Sequence, residues 1–287
     1  MTKPAQIGVF ASRYRDVQRI EATLRVAMEL LRRFSNTNIE TDFKSGGDPV
    51  TAADRATNAL LREMLVGEGE GWLSEETEDN VRRLTKRRVW VVDPLDGTKE
   101  FLQGIPEWCV SIGLVEDGVA VAGGVANPST GEVYFGSVET GLVCNVARTA
   151  PHATTQPEMK DRKVVVLASR SECKKGRWDC YRGQFFQVVP TGSVAGRLAR
   201  VAAGLADATW TLDARHEWDV AAGVALIRAA GGQVEIARGV EPAFNQRSPR
   251  FDRLAAFAPN RPHTAERLRG IAWNFEPSLI DRAATAG

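Results

Sequence analysis

Four short acidic segments carry the residue types from which a hard-cation site is built. They are "WLSEET" with Glu75 and Glu76, "VVDPLDGT" with Asp93 and Asp96, "HEWDVAAG" with Asp219, and "GGDPVTAAD" with Asp48. Taken singly, each has a plain structural explanation. Paired glutamates usually sit on a solvated face, Asp-Pro and Asp-Gly are ordinary turn formers, and Asp48 and Asp219 stand where a helix cap would. As a set they say more. Glu75, Asp93, Asp96 and Asp219 each stand where a strand or loop meets a turn or helix start, and such positions can aim side chains into a common cleft. Carboxylates crowded there repel one another unless a cation neutralises them.

The three histidines (His152, His216, His263) form no HExxH or HxxxH pair, so oxygen ligands are expected. That favours magnesium or manganese over zinc or copper. Gly97 and Thr98 lie where the chain leaves the strand, and "TKEFLQG" is expected to begin a short helix whose free N–H groups suit phosphate. Carboxylates for metal beside backbone donors for phosphate imply metal-assisted phosphoryl chemistry.

The elements that must position these residues are legible in outline. From Asp16 to Phe34, apolar residues recur at three- and four-residue steps and predict an amphipathic helix. A second helix is expected from about Val50 to Val66, opened by a capping box in which Asp54 reaches back to Thr51. Val89 to Val92 predicts a buried strand, and "CVSIGLV", "VAVAGGVA", "EVYFGSV" and "LVCN", separated by Asp-Gly and Thr-Gly, predict an antiparallel meander. Asn145 to Lys163 is polar and proline-bearing, a plausible connection between halves. Beyond it strand and helix alternate: "VVVLAS", "FFQVVP", a helix after Gly192, the helix "WDVAAGVALIRAAGG" and the strand "GQVEI".

Apolar residues at 43% and charged residues at 25% fit a globular protein rather than a disordered one. A net charge of +1 gives no reason to expect a nucleic-acid duplex or an anionic membrane as partner. No apolar run approaches the roughly 20 residues of a membrane span, and the N-terminus has no signal-like core, so a cytoplasmic protein is expected. Cys109, Cys144, Cys173 and Cys180 form no CxxC pair, which argues against a zinc ribbon or a disulfide framework.

"DPLDGTKEF", with "SEE" upstream and "WDVAAG" downstream, resembles the two signature motifs of the inositol monophosphatase superfamily of lithium-sensitive, magnesium-dependent phosphatases. The resemblance spans roughly Asp16 to Ala258. It implies an α+β fold, the layered αβαβα sandwich of the inositol monophosphatase and fructose-1,6-bisphosphatase type. An α+β half, residues 1–155, would carry most metal ligands, and an α/β half, residues 156–287, would complete the site. The resemblance assigns metal binding to Glu75, Asp93, the Leu95 carbonyl, Asp96 and Asp219, with roughly two or three Mg2+ ions, or Mn2+ in their place. Gly97 and Thr98, with Asp96, would hold phosphate, and Asp48, Thr98 and Glu75 would serve the attacking water. Ser169, Arg170, Gly192, Ser193, Glu217 and Asp219 are the expected substrate contacts. Superfamily members occur as monomers and dimers, so a homodimer is one expected assembly.

Within the superfamily, "DGTKEF" and "LASRSE" look like the 3′(2′),5′-bisphosphate nucleotidase branch of CysQ type, in which Ser169 and Arg170 would meet a second phosphate or the base. Inositol monophosphatases usually carry "DGTTNF" and a glutamate after "ADA", where this chain has Thr211 and Leu212. Hydrolysis of 3′-phosphoadenosine 5′-phosphate ranks first, inositol 1-phosphate second, with Glu217 as a partial substitute for the missing glutamate. Histidinol phosphate ranks third. A regulatory binding module on the same fold is the non-enzyme alternative. It is disfavoured because every ligand position is still acidic and Thr98 is present.

Overall fold

The computed structural model describes residues 4–34, 41–43, 49–146, 163–259 and 261–274. Asp48 and the expected boundary at residue 155 lie outside them. Helix α1 (Pro4–Phe34) buries Val17, Ile20, Leu24, Ala27 and Leu31 along one stripe. It starts at Pro4 rather than Asp16. Val9, Phe10 and Tyr14 are exposed, so the added turns do not continue the buried stripe that betrays a helix in sequence. The short antiparallel strands β1 (Thr41–Phe43) and β2 (Pro49–Thr51) lead into α2 (Ala52–Leu65). The expected capping box opens α2: Thr51 Oγ1 accepts from the amides of Ala53 and Asp54, and Asp54 accepts from the Thr51 amide at 2.7 Å.

Strands β3 (Gly71–Ser74), β4 (Arg88–Asp96), β5 (Cys109–Glu116), β6 (Val119–Ala126), β7 (Val133–Ser137) and β8 (Gly141–Cys144) form one sheet in that order. The single-turn helix α3 (Thr98–Leu102) follows β4. β3 runs parallel to β4, and β4 to β8 form the expected antiparallel meander. β4 is unbroken in its apolar character because both faces are covered. Trp90 and Val92 join the core under α1 and α2, while Val89 and Val91 join the core on the other side.

The chain then forms β9 (Val164–Ser169), α4 (Arg170–Lys174), β10 (Phe186–Thr191), α5 (Val194–Ala202), β11 (Ala208–Trp210), β12 (Arg215–His216), α6 (Glu217–Ala229), β13 (Gln233–Glu235), β14 (Arg250–Phe251), β15 (Ala255–Phe257) and α7 (Pro262–Asn274). The second sheet has the order β10-β9-β11-β15-β13, parallel across its first three strands and antiparallel beyond. Alternation along β9 sends Val166 and Ala168 into the core with α7, and Leu167 into the core shared with α5 and α6.

The layers are therefore α1/α2, the six-stranded sheet, α5/α6, the five-stranded sheet, and α4/α7. This is the αβαβα sandwich of α+β class. Helix α6 lies against β4, β5 and β6, and glycines make that approach possible. A Cβ at Gly123 would stand 2.4 Å from the Ala222 carbonyl oxygen, and one at Gly113 2.7 Å from Ala221 Cβ. The close contact brings the first turn of α6, with Asp219, to the end of β4. Among the described residues no helix is long and apolar enough to cross a membrane.

Candidate active site

In a regular strand, residues three apart face opposite sides, so Asp93 and Asp96 should diverge. They do not. Asp93 pairs with Ser111 and Asp96 with Cys109, so β4 spends one more residue than β5 over this span, and the bulge shifts the alternation by one. Pro94, which has no N–H to give a ladder, sits inside the irregularity. Both aspartates consequently line one cavity of about 520 Å3, together with Glu75 from the end of β3 and Asp219 from α6. Gly97 closes the strand at φ 99°, a left-handed turn, and Glu107 and Trp108 crowd the space a Cβ would fill.

Carboxylate oxygens of Glu75, Asp93 and Asp219 all lie within 4.8 Å of one another. Asp93 is 2% exposed. Burial pushes its carboxyl well above the usual range, and Glu75, Asp96 and Asp219 push it further, against one hydrogen bond from the Leu95 amide at 2.9 Å. Asp219 rises to about 8, from burial first and then from Asp96 and Glu75, with Arg215 and the His216 amide opposing. Asp96 stands slightly apart. Its Oδ2 accepts from Ser193 Oγ and from the Ala195 amide, each at 2.7 Å; burial still leaves its pKa raised, and these bonds and Arg197 limit the rise. Ser193 adopts φ 38°, an uncommon value for a residue with a Cβ. Because its proton goes to Asp96, the Sγ–H of Cys109, 3.0 Å away, is left to donate to Ser193 Oγ.

Thr98 links this cluster to α2. Its Oγ1 lies 3.3 Å from Asp54 Oδ1 and 3.1 Å from the Leu95 carbonyl, and its single proton serves one of them at a time. Asp54, 2% exposed, accepts from Thr51 through its other oxygen. In the sequence Asp54 reads only as a helix cap. The clue was its place in "DPVTAAD", six residues beyond Asp48.

The expected substrate residues divide. Ser169, Arg170, Gly192 and Ser193 line the cavity. Arg170, however, is committed to Glu107: Nε donates to Oε2 at 3.0 Å and Nη2 to Oε1 at 2.6 Å, and the Gly192 amide donates to the same carboxylate at 2.7 Å. Glu217 does not line the cavity. It is fully buried and accepts from the amides of Asn245 and Gln246 at 2.7 and 2.9 Å, so it cannot stand in for a hydroxyl-binding glutamate. Thr211 and Leu212 are buried as well. Arg197, Arg215, His216 and Trp218, none of them among the residues expected at the site, also line the cavity; the last pair stacks with ring centroids 4.3 Å apart. Glu172 of "SRSE" holds this rim by accepting from the amides of Leu212 and Asp213 and from Arg215 Nη2.

A carboxylate cluster of oxygen donors at the end of a bulged strand, in a five-layer αβαβα sandwich, defines a class of cation-dependent hydrolytic proteins. The comparisons give the family. The sequence profile of the inositol monophosphatase family matches residues 13–273, and the chain belongs to that family of metal-dependent phosphatases. It is 33% identical over 230 residues to the inositol-1-monophosphatase of Rhizobium meliloti, covering 77% of this chain and 84% of that one. Among solved structures it is similar to the extragenic suppressor protein suhB of Bartonella henselae, with a TM-score of 0.71, 27% identity, and coverage of 88% and 97%. CysQ of Bacteroides thetaiotaomicron, a bacterial member of the same family, aligns with a TM-score of 0.69 at 26% identity, covering 85% and 97%.

Proposed function

We propose that the chain is a Mg2+-dependent phosphomonoesterase acting on 3′(2′),5′-bisphosphate nucleotides, releasing phosphate from 3′-phosphoadenosine 5′-phosphate to leave AMP. The observation that carries this reading is the two-signed cavity. Glu75, Asp93, Asp96 and Asp219 line it together with Arg170, Arg197 and Arg215, with no carboxylate where Thr211 and Leu212 stand in place of the expected polyol-binding glutamate. A cavity of this kind suits a substrate with more than one phosphate better than a neutral polyol ring.

The residues fit a hard divalent cation. Only carboxylates compose the cluster of Glu75, Asp93 and Asp219, and the raised pKa values of Asp93 and Asp219 mark negative charge that the protein does not itself neutralise. Glu75, Asp93 and Asp219, with the remaining oxygen of Asp96, would hold it. When bound, the cation supplies charge neutralisation for the phosphate and acidifies a water. Ser193 and Ala195 fix Asp96 so that it cannot rotate away from the cavity. With the Thr98 proton held on Asp54 Oδ1, a lone pair of Thr98 Oγ1 is free to accept from the attacking water and orient it. Asp48, expected beside Thr98, lies outside the described residues.

The test is phosphate release by the full chain with Mg2+ on 3′-phosphoadenosine 5′-phosphate and on inositol 1-phosphate. The nucleotide should be preferred by at least about tenfold in kcat/KM. Equal or reversed preference returns the protein to inositol phosphates, the substrates named for relatives such as the inositol-1-monophosphatase of Rhizobium meliloti.

A further inference from the structure

Three arginines line the cavity, and their partners separate them. Arg170 is matched by Glu107 in a bidentate pair. Arg215 is matched by Glu172 at 3.0 Å. Arg197, on α5, is different: it is 2% exposed, its Nη1 reaches only the Thr209 hydroxyl at 3.3 Å, and its Nε is buried with no acceptor. A guanidinium offers five donors in a planar fork suited to an oxyanion, and leaving them unmatched in the interior is costly. Burial lowers its pKa to about 10 while Glu172 and Asp96 oppose the fall, so the side chain is a cation at neutral pH.

We infer that Arg197 anchors a second anion subsite, binding the phosphate that is not hydrolysed while the carboxylate cluster of Glu75, Asp93 and Asp219 takes, with its cation, the one that is. The inference rests on the reading of the substrate as a bisphosphate. It moves the second phosphate away from Arg170, whose donors Glu107 already uses, to the arginine that has no carboxylate partner of its own. Helix α5 links the two groups: the Ala195 amide grips Asp96, and Arg197 follows two residues later.

The competing role for Arg197 is that of a counter-charge for Glu172 and Asp96, and the two roles differ in what they do to different substrates. The measured quantity is the ratio of kcat/KM for 3′-phosphoadenosine 5′-phosphate to that for adenosine 3′-phosphate. In the wild type it should exceed about 10, and in Arg197→Met it should fall by roughly 10- to 100-fold, mainly through KM of the bisphosphate. Arg197→Lys should recover part of the ratio. A ratio near one in the wild type, which requires no variant to fold, would overturn the subsite. So would equal losses on both substrates in folded Arg197→Met or Arg197→Lys, the signature of a counter-charge. Should wild type favour inositol phosphates, the nucleotide reading fails on its own. Inositol 1,4-bisphosphate against inositol 1-phosphate then puts the same ratio test to Arg197.

Discussion

Replacing Asp54 by Asn should separate its two roles. One carboxylate oxygen accepts from Thr51 N at 2.7 Å and Thr51 Oγ1 at 2.6 Å, and the other meets Thr98 Oγ1 at 3.3 Å. An amide can keep only one oxygen, and the two short bonds at Thr51 will claim it. Its NH2 then faces Thr98 as a donor where an acceptor stood, so the Thr98 proton turns to the Leu95 carbonyl at 3.1 Å. The helix cap survives. The lost bond is long, and its net contribution is about 0.5–1.5 kcal/mol, so the melting temperature should move by no more than about 5 °C in a chain of this size. The hydroxyl that would orient water is re-aimed, however, and kcat should fall about 100-fold. Because the Leu95 carbonyl gains a donor, the magnesium concentration for half-maximal rate should also rise. Asp54→Ala, by contrast, strips the cap and leaves a buried amide unmatched, adding about 1–3 kcal/mol of destabilisation. Steady-state kinetics with calorimetric melting distinguishes these outcomes. Wild-type kcat in folded Asp54→Asn would refute the assignment of Thr98 and Asp54 to water orientation.

Asp93→Asn should abolish phosphate release while the metal-free protein melts no lower than wild type, since a buried charge pressed by three other carboxylates has been removed; Mg2+ should no longer raise its melting temperature. In metal-free wild type, Asp219 and Asp93 titrate above their unfolded values, so the folded state binds more protons than the unfolded one. The stability these two carboxyls contribute should be fully present below the ordinary aspartate range and be lost as pH rises towards about 8, with Mg2+ reversing that loss. Titration calorimetry in buffers of different ionisation enthalpy should then show Mg2+ releasing protons at pH 7, and no release would contradict the pKa reading. Gly123→Ala must push α6 away from β6, because the new Cβ would sit 2.4 Å from the Ala222 oxygen. A loss of about 2–4 kcal/mol is expected from such overpacking, with weaker Mg2+ dependence because Asp219 moves with the helix.

Features that depend on near neighbours in sequence were legible. The Thr51–Asp54 capping box, the meander with its Asp-Gly and Thr-Gly turns, and the apolar stripe of α1 from Val17 onward rest on contacts a few residues apart. Features decided by distant partners were not. That Asp93 and Asp96 face the same way depends on how β4 pairs with Ser111 and Cys109. Arg170 looked available because Glu107, sixty-three positions away, is invisible to local reading. Glu217 looked like a site residue because it adjoins Asp219. On a helix, adjacent residues diverge by about 100°, so that adjacency sends it instead towards Asn245 and Gln246. Arg197 gave no signal at all, since a basic residue in an alanine-rich helix reads as solvated until the five-stranded sheet covers it.

The same long-range dependence bears on how the site is held. Glu75 and Asp93 belong to the first sheet, but Asp219 arrives on α6, and Asp96 is fixed by Ser193 and Ala195 from the chain that follows β10. Four carboxylates that repel one another therefore meet only because α6 and α5 are packed against β4, β5 and β6, through a core that contains Val89 and Val91 beside Leu198, Val220 and Val224. The repulsion acts against that docking, and a bound cation would relieve it. Metal binding and the packing of α5 and α6 should thus be coupled in free energy, each strengthening the other. Ser193, at φ 38°, lies on the line of that coupling: its hydroxyl, with the Ala195 amide, holds Asp96 in register with the cluster, so the local backbone strain sits where α5 meets the carboxylates.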